Sequence, residues 1–141
     1  MASYSEEVLA DSPVRYWKLD DSTGTDTQGN GNLTKGTSTA APTTGVSGAT
    51  YNGTGWTFDG GDHASFTMPS LSTTMTFEMF FKSDGATKAS HTFMRFDGAS
   101  VGVIRMQGDG SVYPGEIYGV FGSGDFRTNT RYDDNAWHHL A

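Results

Sequence analysis

The sequence predicts an all-β protein, an antiparallel β-sandwich, and three observations carry that prediction. From Thr74 to Lys82 the chain reads Thr-Met-Thr-Phe-Glu-Met-Phe-Phe-Lys, so Met75, Phe77, Met79 and Phe81 alternate with Thr74, Thr76, Glu78, Phe80 and Lys82. A period of two places the first set on one face of a strand, whereas a helix would spread these four large groups around more than half its circumference. Composition points the same way. Gly numbers 19 and aromatics reach 13% of the 141 residues, while hydrophobic content is only 35%, a balance that suits short strands and long turns better than helices. Finally, short alternating runs and turn dipeptides succeed one another at the spacing of a sandwich or jelly roll. Residues 1–141 are expected to form one domain. Phe80, on the otherwise polar face, marks 74–82 as a central strand covered in part on both sides.

Taken in order, Ser3 and Glu6 have capping-box spacing, so a short helix is expected over residues 4–10, stopped by Pro13. Val14 to Leu19 reads as the first strand and ends in Asp20-Asp21. From Ser22 to Gly55 the chain is rich in Gly, Thr, Ser and Asn, and only Leu33, Val46 and Tyr51 can anchor it. It is read as loops with one or two short edge strands, either functional or tied down by a ligand or a neighbour. Residues 56–141 hold the strands. Trp56 to Phe58 is followed by the turn Asp59-Gly60-Gly61-Asp62, then His63 to Met68, a turn at Pro69-Ser70, and the 74–82 strand. After a loop over Ser83 to Lys88 come His91 to Phe96, the turn Asp97-Gly98, Val101 to Met106, and the turn Gly108-Asp109-Gly110. Tyr113 to Phe121 is interrupted by Pro114-Gly115, Phe126 to Tyr132 is a weaker strand, and Trp137 to Ala141 opens another.

Charge and composition narrow the function classes. The net charge is −7, with nine Lys and Arg scattered along the chain, so no basic stripe tracks a phosphate backbone and nucleic-acid binding is not expected. Cys is absent, which excludes disulfides, thiolate metal sites and a thiol nucleophile. No apolar run is long enough for a membrane span, and Met1 to Glu7 lacks the basic and apolar regions of a secretory signal. If the protein works outside a cell, exit by a route other than a cleaved signal is expected, such as release by lysis within a virus particle.

Among metals, calcium suits the residues best. Asp20, Asp21, Asp26 and Asn30 lie in or beside a Gly-rich loop and Asp59 and Asp62 in another, and hard oxygen ligands of this type hold Ca²⁺. The same residues also simply favour turns. Zinc fits poorly. His138 and His139 are adjacent, so in a strand they point to opposite faces and cannot share one ion. One of them is expected to pack inside the sandwich with Trp137 while the other bonds a loop. Gly-x-Ser-x-Gly, His-Glu-x-x-His and phosphate-loop motifs are missing from the sequence.

Four segments together resemble the laminin-G-like, concanavalin A-like jelly-roll superfamily, in particular its bacterial and phage members. They are Leu-Ala-Asp-Ser-Pro-Val-Arg-Tyr-Trp-Lys-Leu over 9–19, Phe58-Asp59-Gly60, the strand from Met75 to Lys82 with Phe80 where Trp is usual, and Trp137-His138-His139-Leu140-Ala141. The resemblance implies a jelly roll in which Trp17, Trp56 and Trp137 pack in the core. Family members continue past Trp-His-His with further strands, so a longer chain, or completion by another subunit, is expected. β-Glucanases of this fold resemble a Glu-x-Asp-x-x-Glu strand. Here the four Glu, at positions 6, 7, 78 and 116, form no such motif, and the expectation is a non-enzymatic protein. What the resemblance implies instead is adhesion to host surface glycan, or contact with neighbouring virion subunits in an oligomeric tail or decoration assembly. A secreted or cell-surface bacterial carbohydrate-binding module is the alternative. Sugars need aromatic platforms and planar polar groups; Tyr113, Tyr118, Arg127, Asn129 and Tyr132 are the candidates.

Overall fold

A computed structural model describes residues 3–49, 53–67, 76–83, 90–96 and 102–141. Strands in antiparallel sheets dominate, so the all-β expectation is met. The chain divides into two compact units, Met1–Met75 and Thr76–Ala141. Several expected features lie outside the described residues: the anchor Tyr51, Met68, the turn Pro69-Ser70, Thr74 and Met75, most of the loop after Ser83, the turn Asp97-Gly98, and Val101.

The first unit opens with α1 (Tyr4–Ala10), set by a complete capping box. The Ser3 N–H donates to Glu6 Oε2 at 2.6 Å and the Glu6 N–H to Ser3 Oγ at 3.3 Å, which satisfies two of the donors a helix start leaves unpaired. The strand expected over 14–19 does not form. Only Trp17 bridges, to Asp26, and Leu19 takes a positive φ of 58°, a conformation that breaks an extended run. In its place the Asp26 carboxylate captures the local backbone. β1 (Thr34–Lys35) pairs with β4 (Ala64–Ser65), and β2 (Thr43–Ser47) with β3 (Thr54–Thr57). A 3₁₀ turn at Ser38–Ala40 lies between β1 and β2. The loop-rich segment thus holds two short strands. Trp56 of β3 is buried, and its indole N–H donates to the Asp21 carbonyl at 2.8 Å. Gly24 lies so close to this ring and to Leu33 that a Cβ would collide with both, and its φ of +64° favours Gly independently.

The second unit is built on a four-stranded meander. β6 (His91–Phe96), β7 (Gly102–Met106), β8 (Glu116–Phe121) and β9 (Gly124–Arg131) pair antiparallel in that order. β5 (Met79–Lys82) pairs with β10 (Trp137–Leu140). The alternation read in the sequence survives. Phe77, Met79 and Phe81 turn to the core, where Phe81 joins Ile104, Met106 and Ile117, with Phe93, Tyr132 and Leu140 packed alongside. Burying each such side chain stabilises by about 1.5–3 kcal/mol. The central position expected for β5 is not seen, since among the described residues its one strand partner is β10. Residues 108–115 turn, and the expected strand begins only at Glu116, because Gly115 has a φ of +76°.

The paired histidines divide as their adjacency requires. His138 sits opposite Phe81, tilted against its ring and edge-on to Tyr132, while its Nε2 bonds Asp134 Oδ1 at 2.8 Å. His139 lies on the other face, against the Phe80 ring and 2.8 Å from Glu78 Oε1. Trp137 shares that outer face and is 41% exposed, so the core role expected for it is not what the fold provides. The residue packed inside is His138.

Candidate functional site

The register of the meander decides which side chains share a face. Arg105 on β7 lies opposite Tyr118 on β8, which in turn lies opposite Arg127 on β9. These residues alternate with Ile104, Met106 and Ile117, which face the core, so Arg105, Tyr118 and Arg127 occupy the reverse of the sheet. The Arg127 guanidinium lies 3.4 Å from the Tyr113 ring centroid, and that of Arg105 lies 5.3 Å from the Tyr118 centroid. Arg127 Nε is also 3.2 Å from Glu116 Oε2, an ion pair whose angles fall short of a hydrogen bond. Two tyrosine rings and two guanidinium planes therefore interleave beside one carboxylate. Such pairings hold a cation over the electron-rich ring face.

Gly115 positions Tyr113. At its positive φ the chain turns into β8, and a Cβ there would strike the Asp133 carboxylate. Asp133 is fixed by Arg131, with Nε to Oδ1 at 3.0 Å. The Arg131 hydrogen bond holds the Asp133 carboxyl below its ordinary range, and the same contact raises Arg131. Below the site, Thr128 Oγ1 accepts the Ile117 N–H at 2.9 Å, where the β8–β9 register shifts. Here a side chain takes the place of a backbone acceptor.

Three of the five glycan candidates, Tyr113, Tyr118 and Arg127, come together in this cluster. Asn129 is exposed on β9, and no contact among the described residues ties it to them. Tyr132 lies elsewhere: it packs on Phe81 and His138 at the core. Sequence reasoning missed Arg105 and the pairing role of Glu116. The alternation of Arg105 with Ile104 and Met106 was the signal that separates it from the core.

Among the described residues the six calcium candidates are not brought into one ligand set. The Asp26 side chain is fully buried, and its four acceptor positions are filled by the N–H groups of Tyr16, Gln28 and Asn30 and by Arg15 Nη1. A carboxylate so saturated has no lone pair left for a metal. Asp20 is exposed, and its carbonyl accepts the Thr54 hydroxyl. The Asn30 amide donates to the Val14 carbonyl. Asp62 accepts the Asp59 N–H, and Asp59 accepts the Gly61 N–H, so both serve the turn. Among the described residues no group of three or more acidic or histidine side chains is placed to hold an ion. Nearby, Arg15, Asn30, Asn32 and Phe66 line a cleft of about 280 Å³. Asp21 is a second organiser of this unit. Hydrogen bonds from the Thr25 side chain and from the Thr23, Gly24 and Thr25 N–H groups outweigh desolvation and lower its carboxyl from 3.8 to about 2.

Comparison with protein-family models, with curated proteins and with solved structures found no match. No helix of the described residues is long and apolar enough to cross a membrane.

Proposed function

We propose that this chain is a non-enzymatic glycan-binding module with a laminin-G-like jelly-roll sandwich, acting in a virion as a tail or decoration component that adheres to host surface sugar. The observation that carries the reading is the Tyr113–Arg127–Tyr118 cluster on the reverse of the meander. It combines aromatic faces with planar, multidentate donors, the pair of features that sugar recognition uses. Tyr113 is 41% exposed and Arg127 is exposed, so both are within reach of a ligand. The virion setting rests on the phage-type resemblance of the four sequence segments. The non-enzymatic part of the reading rests on the sequence, in which the four Glu form no Glu-x-Asp-x-x-Glu strand.

A second reading, contact with neighbouring virion subunits, is favoured by Trp137, which lies exposed beside Phe80 and His139 on the outer face of the β5–β10 pair. Large exposed aromatics of this kind anchor protein interfaces. A glycan array probed with the intact chain separates the two. Adhesion requires retention on a defined glycan set, with affinity at least about tenfold weaker in Tyr113→Ala and Arg127→Ala. No retention by the folded wild type, or retention undiminished in both variants, sinks it. Concentration-dependent self-association lost in Trp137→Ala would then support the assembly reading.

A further inference from the structure

We infer that the ligand of the Tyr113–Arg127–Tyr118 face is an acidic saccharide, one carrying a carboxylate or sulfate group, and that Arg105 receives the anion. The inference rests on the glycan reading above and narrows it. Arg105 is half-buried on β7, and its buried Nε has no hydrogen-bond partner. Among the described residues it makes no ion pair, and its one specific contact is the Tyr118 ring. A ring face stabilises the charge but offers the N–H groups no acceptor; the buried Nε is left unmet at a cost, and the terminal Nη groups are the ones an incoming anion would meet. Arg127 differs, because Glu116 already offsets it. Of the two guanidinium groups in the cluster, Arg105 is the one without a carboxylate partner among the described residues, and it stands one strand from Tyr118 and two from Arg127.

The surroundings agree. Thr92 lies opposite Arg105, and Arg95 shares the face through its pairing with Val103. With Arg127 and Arg131, four of the nine Lys and Arg thus project from one sheet face, beside the carboxylates Glu116 and Asp125, in a chain whose net charge is −7. Guanidinium groups bind carboxylate and sulfate oxygens in forked pairs. A sugar ring resting at Tyr113 and Tyr118 would place an acidic substituent within reach of the Arg105 fork. Acidic glycan is thereby selected over neutral glycan of the same size, and binding weakens with salt.

The test uses the intact chain on an array of neutral, carboxylated and sulfated oligosaccharides, with wild type, Arg105→Gln and Arg105→Lys compared at low and physiological salt. The expected result is retention on acidic members only, about tenfold or more weaker in Arg105→Gln and partly restored in Arg105→Lys, at unchanged melting temperature. The carboxylated and sulfated arms identify which oxyanion is taken. Equal binding to neutral and acidic members, or undiminished binding by Arg105→Gln, overturns the inference and leaves the glycan reading standing. No retention on any member overturns both.

Discussion

Asp26 shows how much one carboxylate can organise. It has no exposed side-chain surface, and it collects three backbone N–H groups and the Arg15 guanidinium at 3.2 Å. Asp26→Ala leaves Arg15 buried without its counter-charge and frees those N–H groups. A loss of about 3–5 kcal/mol is expected, read as a collapse of the melting transition; a change under about 1 kcal/mol would refute this account. Asp21 gives a pH signature. Its folded value of about 2 lies below the ordinary 3.8, so its contribution is complete above 3.8 and is lost as pH falls through about 2. Wild type and Asp21→Asn should therefore differ in melting temperature at neutral pH and converge across that acid window. A gap that stays constant to pH 2 would assign Asp21 no such role. Neither role was legible beforehand, because Asp in a Gly-rich loop looks alike whether it binds metal or ties backbone. Tyr132 was more readable than its assignment to the sugar face suggests. It is five residues from Arg127, and an odd separation within a strand places two side chains on opposite faces.

At the scale of elements, α1, β6, β7 and β10 were legible because each is specified locally, by a capping box, by alternation or by a turn dipeptide. The strand at 14–19 was not, because its fate depends on Asp26, several residues further on. The arginine–tyrosine face was half legible. Tyr113, Tyr118 and Arg127 are neighbours in sequence, but Arg105 joins them only through the β7–β8 register, and register is a property of pairing. The turn into β8 carries the most exposed part of the site. Gly115→Ala meets both a positive φ and the Asp133 carboxylate, so a cost of about 1–2 kcal/mol is expected, together with displaced Tyr113 and weaker glycan retention. Retention and stability both unchanged would show that the turn accommodates a side chain.

For the whole molecule, the acidic balance is taken up largely by turns: among the described residues no group of acidic side chains is placed to hold an ion. Asp21, Asp26, Asp59 and Asp62 are occupied with backbone donors, so millimolar Ca²⁺ and chelator should give the same melting temperature; a shift of several degrees between them would reveal an ion site. The two strands of the β5–β10 pair come from distant parts of the chain: the bond between Glu78 and His139 spans 61 positions. β6 to β9 are sequential neighbours in their sheet, and hairpins of that kind close in microseconds. At ribosomal speeds of roughly 5–20 residues per second, those 61 positions take about 3–12 s to translate. During synthesis β5 thus waits unpaired while the whole meander is made, and its partner β10 follows β9 after only a few residues. The nascent chain is most vulnerable to aggregation in that interval, and the expression yield of this protein depends on how well the interval is chaperoned.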